Sequence, residues 1–137
     1  MSDDRLRPAP AERFAADHLV LDLHAEVAAL TAEQAPSRHG HRQKTLFKHS
    51  GRTVALFVLD SGASLAEHAA GGTVTVQVID GELDMTVAGD KHRLQAGMLL
   101  VMAPGARHDV RAVAHAAFLL QVSLAGSPPP PSPPAKS

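Results

Sequence analysis

The sequence predicts an all-β fold, a sandwich or barrel of short strands preceded by one short helix. Three observations carry that expectation. Strand-like runs recur about every eight to twelve residues from Lys44 onward, with turn residues between them. Glycine stands at the bends, as at Gly51, Gly62, Gly71-Gly72, Gly81 and Gly89. In the run 73–79, Val74, Val76 and Val78 alternate with Thr75, Gln77 and Ile79, which is the period of a strand.

The length of 137 residues suits one domain, and 45% hydrophobic residues are enough for a packed core. Four Phe are the only aromatic side chains, so the core is expected to be built from Val, Leu and Ala. Thirteen Lys and Arg against 14 Asp and Glu leave a net charge of −1, which gives no electrostatic basis for binding nucleic acid or an anionic membrane. The absence of Cys excludes disulfides, thiolate metal ligands and a Cys nucleophile, and it suits a reducing compartment. Residues 1–7 are charged and run into Pro-Ala-Pro, unlike a secretion signal. The apolar runs fall short of the ~20 residues needed to span a bilayer. A cytoplasmic protein is the expectation.

Along the chain, residues 1–43 read as an extension that carries one helix and a connector. Asp22 is placed to cap a helix in which Leu23, Val27 and Leu30 share one face at i, i+4 and i+7. Residues 35–43 are polar and form the connector. Residues 44–125 read as the β domain, with strands over 45–48, 53–59, 73–79 and 82–87. A hairpin turn at Gly89-Asp90 follows, then strands near 92–94, 98–102, 107–113 and 117–124. Residues 126–137 are a proline-rich tail of polyproline character that cannot build a core.

Two histidines are bracketed by glycines beside strand-like runs, His68 in 62–81 and His108 in 97–112. Histidine is the commonest metal ligand and the usual proton carrier near neutral pH. If the two strands face each other, His68 and His108 converge. These segments resemble the two motifs of the cupin superfamily, small jelly-roll β-barrels. The first motif, G-x5-H-x-H-x3-E-x6-G, places Gly62, His68 and Gly81 without a gap. The second, G-x5-P-x-G-x2-H-x3-N, places Gly97, Gly105 and His108 likewise. The resemblance covers about residues 45–124. It implies a jelly-roll barrel, a binding site inside it, and pairing of barrels as homodimers.

The resemblance also implies a metal site, and here the chain departs from the pattern. Metal-binding cupins join two histidines and the glutamate of the first motif to the histidine of the second. In this chain the second histidine is Ala70 and the glutamate is Val74. The proline is Ala103, followed by Pro104, and the asparagine is Ala112. Two of four usual ligands remain, fewer than zinc or iron sites ordinarily use. Gln77, His41 and His39 are the weaker candidates for a further ligand. Gln77 has the wrong strand parity unless a bulge intervenes, and His39 and His41 form an H-x-H pair on the connector. Glu67, directly before His68, is expected to face outward.

Val74, Val76, Val78, Leu56 and Val58 are expected to line the interior, a setting for a small, mostly apolar molecule. Any metal would be a divalent first-row ion such as Zn, Mn, Fe or Ni, and the cupin chemistries then open are oxygen insertion and isomerisation. The alternative is a non-catalytic sensor or stability module without metal. The run 53–59 is apolar on both parities, so both of its faces must be covered, by the helix, by a second sheet or by a homodimer partner.

Overall fold

The computed structural model describes residues 17–33, 39–68 and 70–124, with the backbone alone for Glu67 and His68. The proline-rich tail and the first 16 residues lie outside the described residues. Helix α1 spans Leu23–Thr31. Nine strands follow among the described residues: β1 His41–His49, β2 Arg52–Leu59, β3 Ser64–His68, β4 Thr73–Asp80, β5 Glu82–Val87, β6 Asp90–Gln95, β7 Leu99–Met102, β8 His108–Ala112 and β9 Ala116–Ser123. They form a five-stranded sheet in the order β1-β2-β9-β4-β7 and a four-stranded sheet in the order β3-β8-β5-β6. Every pairing is antiparallel. The expected all-β jelly roll with a short N-terminal helix is the architecture observed.

Two tight hairpins set the local geometry. Ser50-Gly51 joins β1 to β2 and Ala88-Gly89 joins β5 to β6, with φ of 50° and 79° in the first and 48° and 89° in the second. Positive φ at both central residues is the turn whose twist matches that of paired strands. Asp90 is therefore not a turn residue, as the sequence suggested, but the first residue of β6, opposite Val87. Strand β1 also begins earlier than expected. His41 pairs with Leu59 and Gln43 with Phe57, so residues 41–43 belong to the sheet rather than to a connector.

The inner faces of the sheets bury one core, in which Val74, Val76, Val78 and Phe118 of the larger sheet meet Leu83, Met85 and Val110 of the smaller. A second core lies on the outer face of the larger sheet. There Val27 and Leu30 of α1 pack on Leu46, Leu56, Val58, Ala117 and Leu119. Asp22 accepts a hydrogen bond from the Ala25 amide at 3.1 Å and caps the helix. The Lys44 ammonium donates to Glu26 at 2.9 Å and ties α1 to β1.

These two cores correct the reading of β2. Leu56 and Val58 were expected inside, but they face the helix, and Phe57 and Leu59 face the interior. Both faces of β2 are thus covered within one chain. The burial argument for a homodimer partner over residues 53–59 is met without one. The exposed large apolar side chains lie elsewhere, with Leu99 and Val101 of the edge strand β7 the most prominent in that region.

Candidate functional site

The two histidine motifs meet on neighbouring strands. Strands β3 and β8 do not face each other across the interior, as the sequence suggested, but are hydrogen-bonded neighbours in one sheet. Position 68 is the direct register partner of His108, and Leu65 is the partner of Val110. Three steps along β3 match two along β8, so β3 carries one extra residue. Without that bulge, residues 65 and 68 would have opposite parity. Directly paired residues of an antiparallel ladder have Cα atoms about 4.5–5.5 Å apart.

Backbone hydrogen bonds hold the motif segments together. The Gly62 amide donates to the Ala112 carbonyl at 2.9 Å, and the Ala112 amide donates to the Ala63 carbonyl at 2.8 Å. The Gly105 amide donates to the Ala70 carbonyl at 2.8 Å. Alanine at positions 70 and 112 therefore still ties the two motifs together through its main chain, although its side chain offers no ligand atom.

His108 is 3% exposed. Its Nδ1 lies 3.1 Å from the Ala106 carbonyl oxygen. A carbonyl only accepts, so Nδ1 carries the proton in this hydrogen bond, and the neutral ring then has its lone pair on Nε2. A neighbouring cavity of about 300 Å³ lies between the sheets. His108, Val76, Met85, Val110 and Phe118 are buried and line its interior, and Gln43 and Ala66 are exposed at its mouth. Phe57 and Phe118 stack against each other on its wall, with ring centroids 4.9 Å apart and planes within 1°.

The expected lining residues divide. Val76 lines the cavity. Val74 and Val78 face the same interior and are packed into its core. Leu56 and Val58 are on the far side of the sheet under α1. Gln77 pairs with Leu119 and Leu99, on the face opposite Val76, so it turns away from the cavity. His39 sits in a turn at φ 53°, and only His41 belongs to β1, so the H-x-H pair is not presented by one extended strand.

Gln43, Phe57, Met85 and Phe118 were not anticipated from the sequence. Met85 was open to discovery, since Leu83, Met85 and Val87 alternate along β5. Gln43 was hidden in a polar stretch that gives no strand signal.

Among the described residues, no group of three or more His, Asp or Glu is placed to hold a metal ion. At the motif positions, His108 is the one ligand-type side chain described, and Ala70 and Val74 contribute none. This donor set does not make a metal shell. A perturbed ionisable pair among the described residues lies away from the cavity, on the outer face of the smaller sheet. There Arg93 Nε donates to Asp84 at 2.5 Å. That hydrogen bond is the main reason the Asp84 carboxyl is held below its ordinary value, and the charges of Arg93, Lys91 and Arg111 add to it against the opposing effect of burial.

Residues 55–122 match the family model for the Cupin domain. The chain belongs to the cupin superfamily. Solved structures agree on the fold of this cupin. A conserved protein of unknown function from Streptococcus pyogenes is 24% identical, with 88% of this chain and all of that one covered at a TM-score of 0.68. An RmlC-like cupin from Shewanella frigidimarina is 22% identical over 64% of this chain and 79% of its own, with a TM-score of 0.61. A salicylate 1,2-dioxygenase mutant from Pseudoaminobacter salicylatoxidans, solved with gentisate, is 17% identical, with 72% of this chain and 30% of that one covered at a TM-score of 0.60. Identities this low carry the fold and not the reaction. Comparison with the curated proteins gave no match. No helix among the described residues is long and apolar enough to cross a membrane.

Proposed function

We propose that this cupin binds a small molecule between its two sheets, at a site where the divalent-metal centre of the superfamily is degenerate. His68 and His108 are the retained ligand positions, and they act as polar anchors for the bound molecule. The observation that carries the reading is the cavity of about 300 Å³, with apolar walls and the buried His108 imidazole among its lining. That is the size and composition of a small-ligand site. The register of position 68 opposite His108 supports placing both at one end of β3 and β8. Ala70 and Val74 support weak metal binding, because each lost ligand lowers affinity steeply.

The test has two measurements. Elemental analysis of protein purified without added metal is expected to give well under one divalent ion per chain. A thermal-shift screen with small metabolites, run in the presence of a chelator, is expected to give saturable stabilisation, and Leu120, which also lines the cavity, is the position at which Leu120→Trp removes it by filling the space. A stoichiometric ion that survives chelation would overturn the degenerate-site reading. Stabilisation that persists in a folded Leu120→Trp variant would overturn the cavity as the binding site.

A further inference from the structure

We infer that the cavity is selective for neutral, ring-bearing molecules and rejects carboxylates of the same shape. The inference rests on the small-molecule reading above and narrows it to a class of ligand. Three observations support it. The first is size. An apolar cavity of about 150 Å³ holds a benzene ring, and this one, at about 300 Å³, has room for a ring with its substituents.

The second observation is charge. Gln43 and His108 are the polar side chains among the described lining residues, and none of those residues is Lys, Arg, Asp or Glu. Three basic side chains of β1 and β6 face elsewhere. Lys44 lies on the outer face with Glu26, and Arg93 and Lys91 engage Asp84 on the outside of the smaller sheet. A carboxylate buried in the cavity would lose its hydration and meet no fixed cation among the described lining residues, and a buried unpaired charge is strongly unfavourable. A neutral amide or hydroxyl needs only hydrogen-bonding partners, and an imidazole and an amide both provide them.

The third observation is the wall. The Phe57–Phe118 stack and the Met85 thioether offer flat, polarisable contacts that suit a ring. Gln43 is the direct register partner of Phe57, so the polar group at the mouth stands next to the aromatic wall. A ring lying along the stack shares the cavity with the Gln43 amide and the buried His108 imidazole.

Benzamide and benzoate provide the test, because they are nearly isosteric and differ in charge. Calorimetry or ligand-observed NMR at neutral pH on the full chain, with chelator present, is expected to show saturable binding of benzamide. Benzoate is expected to bind at least ten-fold more weakly. Ala66→Trp, which blocks the exposed mouth without entering the core, should abolish benzamide binding. Gln43→Leu should weaken benzamide more than it weakens toluene.

Benzoate binding as tightly as benzamide, or no saturable binding of benzamide, would overturn the selectivity inference while a metabolite bound in the cavity could still satisfy the broader reading. Ligand binding undiminished in a folded Ala66→Trp variant would remove the cavity itself as the site, and both readings with it.

Discussion

Gly62 and Gly81 stand at the two ends of the first histidine motif, yet a side chain at each would meet different surroundings. Both have positive φ, 82° and 77°. A β-carbon at Gly62 would have open space around it, whereas one at Gly81 would run into the His115 carbonyl oxygen and lie 2.8 Å from the Ala116 α-carbon. The left-handed conformation alone costs an alanine roughly 1–2 kcal/mol. Gly62→Ala is expected to lose about that much in urea unfolding, and Gly81→Ala distinctly more, because backbone cannot swing aside as a flexible side chain can. Equal losses would show that the start of β9 yields. At Asp84, the charge pair makes stability depend on pH. Its carboxyl titrates below the ordinary 3.8 in the folded state. The contribution is therefore fully present above that ordinary value and is lost as the pH falls through the depressed one. Asp84→Asn should lower the melting temperature at about pH 6, and the gap to wild type should close in strong acid. A gap that stays constant down to about pH 2 would show that the pair acts through shape and not through charge.

Helix α1 shows which features of an element can be read from sequence and which cannot. Its cap at Asp22 and its buried face at Val27 and Leu30 follow from local spacing, and both are observed. The inward face of β2 could not be read, because Val54 to Leu59 is apolar on both parities. That pattern arises because α1 covers one face and the second sheet the other. Alternation then carries no sign of direction, and Leu56 and Val58 lie under α1 and not in the interior. The bulge in β3 was equally invisible. It depends on how β3 registers with β8, some forty residues later, and no local pattern in the chain encodes it. The spacing of the histidines nevertheless located their neighbourhood, because motif spacing reflects tertiary arrangement that periodicity does not. The covering role of α1 has a direct test. Leu30→Ala should cost about 2–5 kcal/mol, as expected for a large-to-small change at a fully buried site, and Asp22→Ala about 1 kcal/mol through loss of the cap. A Leu30→Ala loss no larger than that of Asp22→Ala would mean that α1 rests on the sheet without stabilising it.

Across the whole molecule, the space between the sheets is apolar from the Val74 row to Phe118, and the ligand positions left empty at Ala70 and Val74 belong to the same core. Val74 is 3% exposed, paired with Met102 on one side and Val122 on the other. This arrangement predicts a trade between stability and metal affinity. The double change Ala70→His with Val74→Glu would return an imidazole and a carboxylate to the positions where the superfamily pattern has them. The wild-type chain is expected to bind Zn²⁺ weakly, and the double variant on the order of a hundredfold more tightly or better, since correctly placed ligands raise affinity steeply. Without metal, the new glutamate replaces a packed valine in an apolar core, so the variant should melt below wild type in chelator. Added Zn²⁺ should reverse that loss by binding only the folded state. Melting curves of both proteins, with chelator and with Zn²⁺, separate the two effects. If wild type already binds Zn²⁺ as tightly as the variant, the degenerate-site reading fails. The missing ligand must then come from Glu67 or His41, and alanine replacement at each would identify it by loss of the Zn²⁺-dependent rise in melting temperature.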